Sequence, residues 1–340
     1  MTTAWTGGQY SVLRVLLALG AMRVVLGSDA PALLNLLALV PVACLAVGWR
    51  DRIASIVLAA WTVWLSWSMS AALLLHAALP QAPYGSWEAR GRSDPAGDWE
   101  LPDWAPLAAW GLIGLVHAYW GVSRVVSLGP ALLVGLIELG LLVAAAVAAD
   151  YRRWAWLALT LLAVANNDPV GVLLLHAFAF DPIWIPASSR VTPATLFYDG
   201  TCGLCHRAVR FVLSEDRHAR FQLAPLQSAA FARLVPAESR EGLPDSVVLQ
   251  TRDGQLLVRW SAAVEVATAL GGLWRALATV AMLLPPELGD RLYDFVAARR
   301  RRLFAAPDAL CPIVPPRLRE RFLPDGLPAD DQPSEPSAAR

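Results

Sequence analysis

Cys202 and Cys205, within LFYDGTCGLCHRAVRF (196–211), are the residues of this chain whose type and spacing best suit chemistry. A C-x-x-C pair can cycle between dithiol and disulfide, or it can supply half of a zinc site. With His206 directly after it, the pair also carries the C-x-x-C-H attachment signature of a c-type haem. Structural zinc requires a second pair of ligands, and the other cysteines, Cys44 and Cys311, are single and far apart in sequence. The flanking segments favour exchange chemistry. The β-rich run ATLFY precedes the pair. Behind it, Leu204, Ala208, Phe211 and Val212 recur at the spacing of a helix with one buried face. The dithiol is therefore expected where a strand turns into a helix, a setting that argues against haem attachment. There Cys202 meets unpaired N–H groups and the positive end of the helix dipole, which stabilise a thiolate. Cys205, one turn on and on the same face, is placed to attack a mixed disulfide formed at Cys202. His206, four residues after Cys202, either lowers the pKa of that thiol when charged or is a solvated helix residue.

The elements that must position the pair follow in order. RFQL reads as a strand and QSAAFARLV as a short helix. LPDSVVLQTRDGQLLVRW reads as two strands around an Asp253-Gly254 turn. SAAVEVATALGG reads as a helix opened by Ser261 and closed by Gly271. The order β-α-β-α-β-β-α is the thioredoxin arrangement. In that arrangement a proline before the third strand lies against the dithiol. Pro244 stands at the matching place, a plain turn proline being the alternative. A further helix over 287–304 starts after Pro285-Pro286 and ends in four arginines, 299–302. These suit the helix C-terminal dipole and an anionic headgroup surface. Cys311 is either a third redox thiol or a structural cysteine.

Composition places this α/β segment behind something different. The chain of 340 residues is 56% hydrophobic and 16% charged, with a mean hydropathy of +0.46, against about a quarter charged in an ordinary soluble domain. Residues 1–190 hold only 10 basic and 11 acidic side chains, and the shorter remainder holds 18 and 17. The net charge is zero, so nothing calls for a nucleic-acid partner. The first apolar run has neither the basic flank nor the small-residue end of a cleaved signal peptide. Six spans are expected, over 10–26, 32–48, 53–79, 104–119, 128–149 and 154–180, the last broken at Asp168-Pro169. The expected division is a helical membrane domain over 1–185, a thioredoxin-like domain over 191–323 and a disordered tail over 324–340. Arg50 and Arg52 mark a cytoplasmic loop, and six spans return the C-terminal domain to that side of a bacterial inner membrane. Ionisable residues inside spans are functional candidates: His76, His117, Glu138, Asp168 and His176. His117 and Glu138 lie on consecutive spans and can meet. His76 and His176 each end an LLLH run, and interhelical hydrogen bonding is the competing role for all of them. Arg14 and Arg23 lie near span ends and can snorkel.

YDGTCGLC resembles the signature of the DCC family of thiol-disulfide oxidoreductases, whose Asp and two Cys correspond to Asp199, Cys202 and Cys205. The likeness runs on through APLQS, VVLQTRDGQLLVRWSAAV, YDFVAARRRRLF and LCPIVPP, covering 195–323. More loosely, WTGGQYSVLRVLL, APYGSWEARGR and LLLHAFAFDPIWIP resemble a horizontally transferred membrane segment related to the vitamin K-dependent carboxylase, with no carboxylase motif on which to place a residue. The resemblance implies a membrane-tethered oxidoreductase acting on a protein or small-molecule disulfide or dithiol, without a bound cofactor. Asp199 then either accepts the proton of the resolving thiol or caps the helix and fixes the turn ahead of Gly200. The intramembrane His/Glu set would extend this to a quinone-like, lipid-soluble partner. The reading from a different class is a non-enzymatic membrane module that binds a ligand or senses redox state, its thioredoxin-like domain serving for docking.

Overall fold

The computed structural model describes residues 4–323 apart from 128, 130, 166–168, 189–193, 306, 308 and 313. The tail expected over 324–340 lies outside the described residues. Contacts divide the chain into two units, Met1–Arg90 with Asp98–Trp184, and Gly91–Gly97 with Ile185–Arg340.

The first unit is helical: α1 (Gly7–Leu26), α2 (Ala32–Val47), α3 (Asp51–Thr62), α4 (Trp67–Ala78), α5 (Trp104–Val126), α6 (Leu132–Val147), α7 (Arg152–Val164) and α8 (Pro169–Ala179). Among the described residues only α1 and α5 are long and apolar enough to cross a membrane, where six spans were expected. α2, α4, α6 and α8 are apolar but shorter. The span expected over 53–79 fails because hydroxyls divide it. Ser66 caps α4 by accepting the Met69 N–H at 3.1 Å, and Thr62 Oγ1 hydrogen-bonds both the Leu58 carbonyl and Ser70 Oγ. Such local bonds offer the backbone an alternative to continuing the helix. The segment over 154–180 is two helices, α7 and α8, the second beginning at Pro169, where the break was expected. With α1 and α5 as the two candidate spans, one span instead of four follows the Arg50 and Arg52 loop, so the count that returned the C-terminal domain to the cytoplasmic side no longer holds.

This unit buries several ionisable groups within its apolar core and exposes large apolar side chains. Arg14, Asp51, His76, His117, Glu138 and His176 are all buried, whereas Leu33, Leu115 and Val147 face outward and Trp64 is 93% exposed. A water-soluble bundle shows the reverse pattern.

The second unit runs β1 (Ala194–Tyr198), α9 (Gly203–Glu215), β2 (Phe221–Pro225), α10 (Ala229–Leu234), α11 (Ala237–Arg240), β3 (Val248–Gln250), β4 (Leu256–Val258), α12 (Arg259–Leu270), α13 (Gly272–Ala281), α14 (Pro286–Leu303) and α15 (Pro316–Arg319). The sheet order is β2-β1-β3-β4. Central β1 pairs parallel with β2, Leu196 opposite Leu223, and antiparallel with β3, Leu196 opposite Leu249. Alternation along β1 separates two cores. Leu196 and Tyr198 pack with Val209 and Val212 of α9 and Val266 of α12, while Phe197 packs with Phe231 of α10 and Val248. Each large apolar side chain buried this way contributes roughly 1.5–3 kcal/mol, so the three core residues of β1 alone anchor the strand that leads into the dithiol. The β3–β4 turn holds Gly254 at φ +83°, as its Asp-Gly sequence requires. Helix α12 starts two residues before the expected Ser261, because Asp290 of α14 accepts the Trp260 N–H at 3.3 Å and does the capping from a distant element.

Candidate active site

The chain leaves β1 at Tyr198 and turns over Asp199–Thr201 into α9, whose N-cap is Cys202 in extended backbone. Cys202 Sγ accepts the Cys205 N–H at 3.4 Å, so the two sulfur-bearing residues share the first turn of the helix. Both thiols are free, and both are buried, 2% and 5% exposed. The chain after α14 passes close to this turn. A Cβ on Gly203 would collide with the Ala305 carbonyl, and one on Gly200 would stand 2.8 Å from the Leu310 carbonyl oxygen. The two glycines of the loop are what let this segment cross so closely.

Asp199 is tied down from several sides. Its Oδ1 accepts the Thr201 N–H at 2.9 Å, the Thr201 hydroxyl at 2.7 Å and the Gln227 amide at 2.9 Å, while Gln227 Oε1 takes the Gly200 N–H at 3.0 Å. Oδ2 faces Arg300 at 3.5 Å. Burial pushes this carboxyl up, but the Thr201 and Gln227 hydrogen bonds and the Arg300 charge outweigh it and hold it below the ordinary carboxylate range. Asp199 is therefore held in its ionised form, with Oδ1 on the turn and Gln227 and Oδ2 toward Arg300.

Arg300 joins this cluster from a stretch whose sequence points to a different role. The arginine run was assigned to the helix dipole and to headgroups. Arg300 instead points inward, 3% exposed, and donates to Asp245 Oδ1 at 2.5 Å and to the Asp245 carbonyl at 3.3 Å as well as meeting Asp199. Its positive charge acts on both sulfurs, most strongly on Cys205. The Cys205 thiol is nevertheless pushed up to about 12, first by burial and then by Cys202 beside it, with Arg300 opposing the rise. The signals available in sequence were the heptad-like spacing of Leu292, Tyr293, Val296 and Arg300 on one face of α14, and an Asp one residue after Pro244. Pro244 itself lies in the turn before β3 and is half-buried. The adjoining Asp245 is the residue that reaches the network.

His206 is buried, its Nε2 lying 2.9 Å from the Gly200 carbonyl and 3.1 Å from the Leu310 carbonyl. That nitrogen therefore carries the proton and clamps the dithiol loop to the crossing segment. Burial holds its pKa below the ordinary imidazole value, with the two carbonyls and Asp199 opposing. A group whose folded pKa is depressed stabilises the fold above its unfolded pKa and loses that contribution as pH falls through the folded one. Thermal melts of the protein should thus show stability falling as pH drops below about 6.5, and His206→Gln should flatten that limb. An unchanged limb in the variant would remove this role. Cys311 is half-buried, and its sulfur accepts the Tyr198 hydroxyl at 3.4 Å.

The candidates of the first unit fall into two buried clusters. His76 hydrogen-bonds Tyr10 and lies 3.7 Å from Asp51 Oδ2, which Arg14 approaches at 3.8 Å. Arg14 is buried here, not snorkelling. His117 and Glu138 meet, with Arg124 on the other carboxylate oxygen, and the His176 ring stands 5.3 Å from that of His117. Asp168 lies outside the described residues. Among the described residues, no three His, Cys, Asp or Glu side chains are arranged to hold a metal ion.

A four-stranded sheet whose central strand feeds a helix capped by the first cysteine of a C-x-x-C pair defines a thioredoxin-like oxidoreductase domain. The chain belongs to the DCC1-like thiol-disulfide oxidoreductase family, matching it over residues 196–306. It is 32% identical over 141 residues to the uncharacterized protein YuxK of Bacillus subtilis (strain 168), an overlap covering 40% of this chain and 98% of that protein. It is also 26% identical over 114 residues to a chloroplastic DCC family protein of Arabidopsis thaliana, covering 34% of this chain and 66% of the relative. No solved structure matches. The family match lies wholly in the second unit, and the carboxylase-related resemblance drawn for the first unit finds no support in these matches.

Proposed function

We propose that this protein is a membrane-tethered thiol-disulfide oxidoreductase with Cys202 as nucleophile and Cys205 as resolving thiol. The observation that carries the reading is the shared first turn of α9, with Cys202 as N-cap and Arg300 close to both sulfurs. The Cys202 thiolate attacks a substrate disulfide, forming one S–S bond and releasing one substrate thiolate. Cys205 then attacks Cys202 Sγ, its proton passing to the departing substrate sulfur, which closes the internal disulfide and releases the second substrate thiol. Two electrons pass from the dithiol to the substrate. A thiol held as high as Cys205 stays protonated while Cys202 attacks, which separates the two roles. Asp199 keeps Arg300 and the turn in place. The exposed apolar side chains and buried ionisable groups of the first unit, with α1 and α5 long enough to span, support a bilayer as its surroundings.

The test is trapping. Cys205→Ser should accumulate a mixed disulfide between Cys202 and its substrate, visible as a dithiothreitol-sensitive mass increase on the intact protein. An adduct that forms equally well on Cys202→Ser would refute the assignment.

A further inference from the structure

Both cysteines are buried, yet Cys205 is not enclosed on every side. Its side chain forms part of the wall of a cavity of about 520 Å³ within the second unit, bounded by α9, α12 and α14, and Cys202 does not line it. That volume is in the range of small-molecule sites. The walls are apolar, with three aromatic rings, Phe211, Trp260 and Tyr293. Polar groups gather at the sulfur end. The Tyr293 oxygen accepts the Val247 N–H at 3.1 Å, which leaves its own O–H to donate inward, and Arg300 lies beside Cys205. At the rim, Leu292 and Val296 are about half exposed, and they continue into an outward apolar face with Leu288 and Phe295 of the same helix.

These features select a ligand. Apolar walls disfavour a charged molecule, and the one cation that lines the cavity, Arg300, is already paired with Asp199 and Asp245. Aromatic walls suit a planar ring. Donors beside the thiol suit a carbonyl oxygen that gains negative charge as electrons arrive. A rim merging with exposed apolar helix suits a molecule arriving from a lipid phase. We propose that the cavity binds a neutral, ring-bearing, lipophilic two-electron acceptor of the quinone class, which is reduced by the dithiol through Cys205. This rests on the dithiol reading above and names the second substrate of the same site. In the step, both S–H bonds break, the Cys202–Cys205 S–S bond forms, and two electrons and two protons go to the two quinone oxygens, giving the hydroquinone.

The test uses the full chain, pre-reduced and held anaerobically in nanodiscs, with a decyl-substituted benzoquinone as one acceptor and a small water-soluble disulfide as the other. Wild-type protein is expected to reduce both. Ala208→Trp and Ala263→Trp each place a large ring at the exposed rim of the cavity. They are expected to slow quinone reduction at least tenfold more than disulfide reduction, with unchanged thermal melts confirming the fold. Equal losses toward both acceptors, or a quinone rate unaffected by either substitution, would overturn the proposal. A wild-type protein that exchanges disulfides but leaves the quinone oxidised overturns this inference alone. Failure toward both acceptors removes the dithiol reading and this one with it.

Discussion

Cys202→Ser brings disulfide reduction by the full chain down to the rate of a free thiol at equal concentration, a loss of roughly three orders of magnitude or more. The reason is chemical before it is structural. A serine hydroxyl at this N-cap still accepts the Cys205 N–H, and is a better cap than cysteine, so the fold survives with the helix start intact. It is not ionised at neutral pH and cannot form the mixed disulfide. Cys205 does not substitute for it. That thiol sits one turn inside α9, is pushed up to about 12 and lines the cavity that Cys202 does not reach. Cys205→Ser, by contrast, keeps the first attack and loses turnover. The measurement is steady-state reduction of a small disulfide, with a free-thiol control. A Cys202→Ser protein that retains wild-type turnover would sink the assignment. A wild-type protein no faster than the control would leave the redox-sensing or docking module as the surviving reading.

Local signals were legible in sequence where one element decided its own structure. The alternation in ATLFY, the helical spacing after Cys202, and the Asp253-Gly254 turn each act within a few residues, and β1, α9 and the β3–β4 hairpin stand where those patterns placed them. What distant contacts decide was not legible. The start of α12 depends on Asp290, about 30 residues away in the chain, and the division between α3 and α4 depends on which hydroxyls Thr62 and Ser66 meet. Apolar composition counted six stretches of sufficient hydropathy but could not show where helices end. The same limit applies at the site. Asp199 was legible because it sits beside the dithiol. Arg300 was hidden among three other arginines, and only the packing of α14 against α9 and α12 turns that one inward.

Arg300→Met therefore separates an electrostatic role from a merely structural one. The substitution keeps much of the side chain's apolar length and removes the charge near both sulfurs. It should lower the exchange rate about 100-fold, corresponding to about 2.7 kcal/mol, the size expected when one preorganised charged donor is taken from a water-poor site. The stability loss should be smaller than for a fully buried ion pair, about 1–3 kcal/mol. Asp245 is 67% exposed and rehydrates, and Asp199 keeps its three donors on Oδ1. Since Arg300 opposes the upward push on Cys205, its removal drives that thiol higher still. The alkaline rise in the rate of internal disulfide closure should move to higher pH in Arg300→Met. Arg300→Lys retains the charge but not the two-pronged hold on Asp245, so it should restore the pH profile more fully than the rate. Stopped-flow measurement of closure against pH for the three proteins decides the matter. If Arg300→Met lost stability but kept both the wild-type rate and the wild-type profile, the arginine would be a packing and ion-pair residue only. The thiolate would then owe its reactivity to the α9 terminus alone.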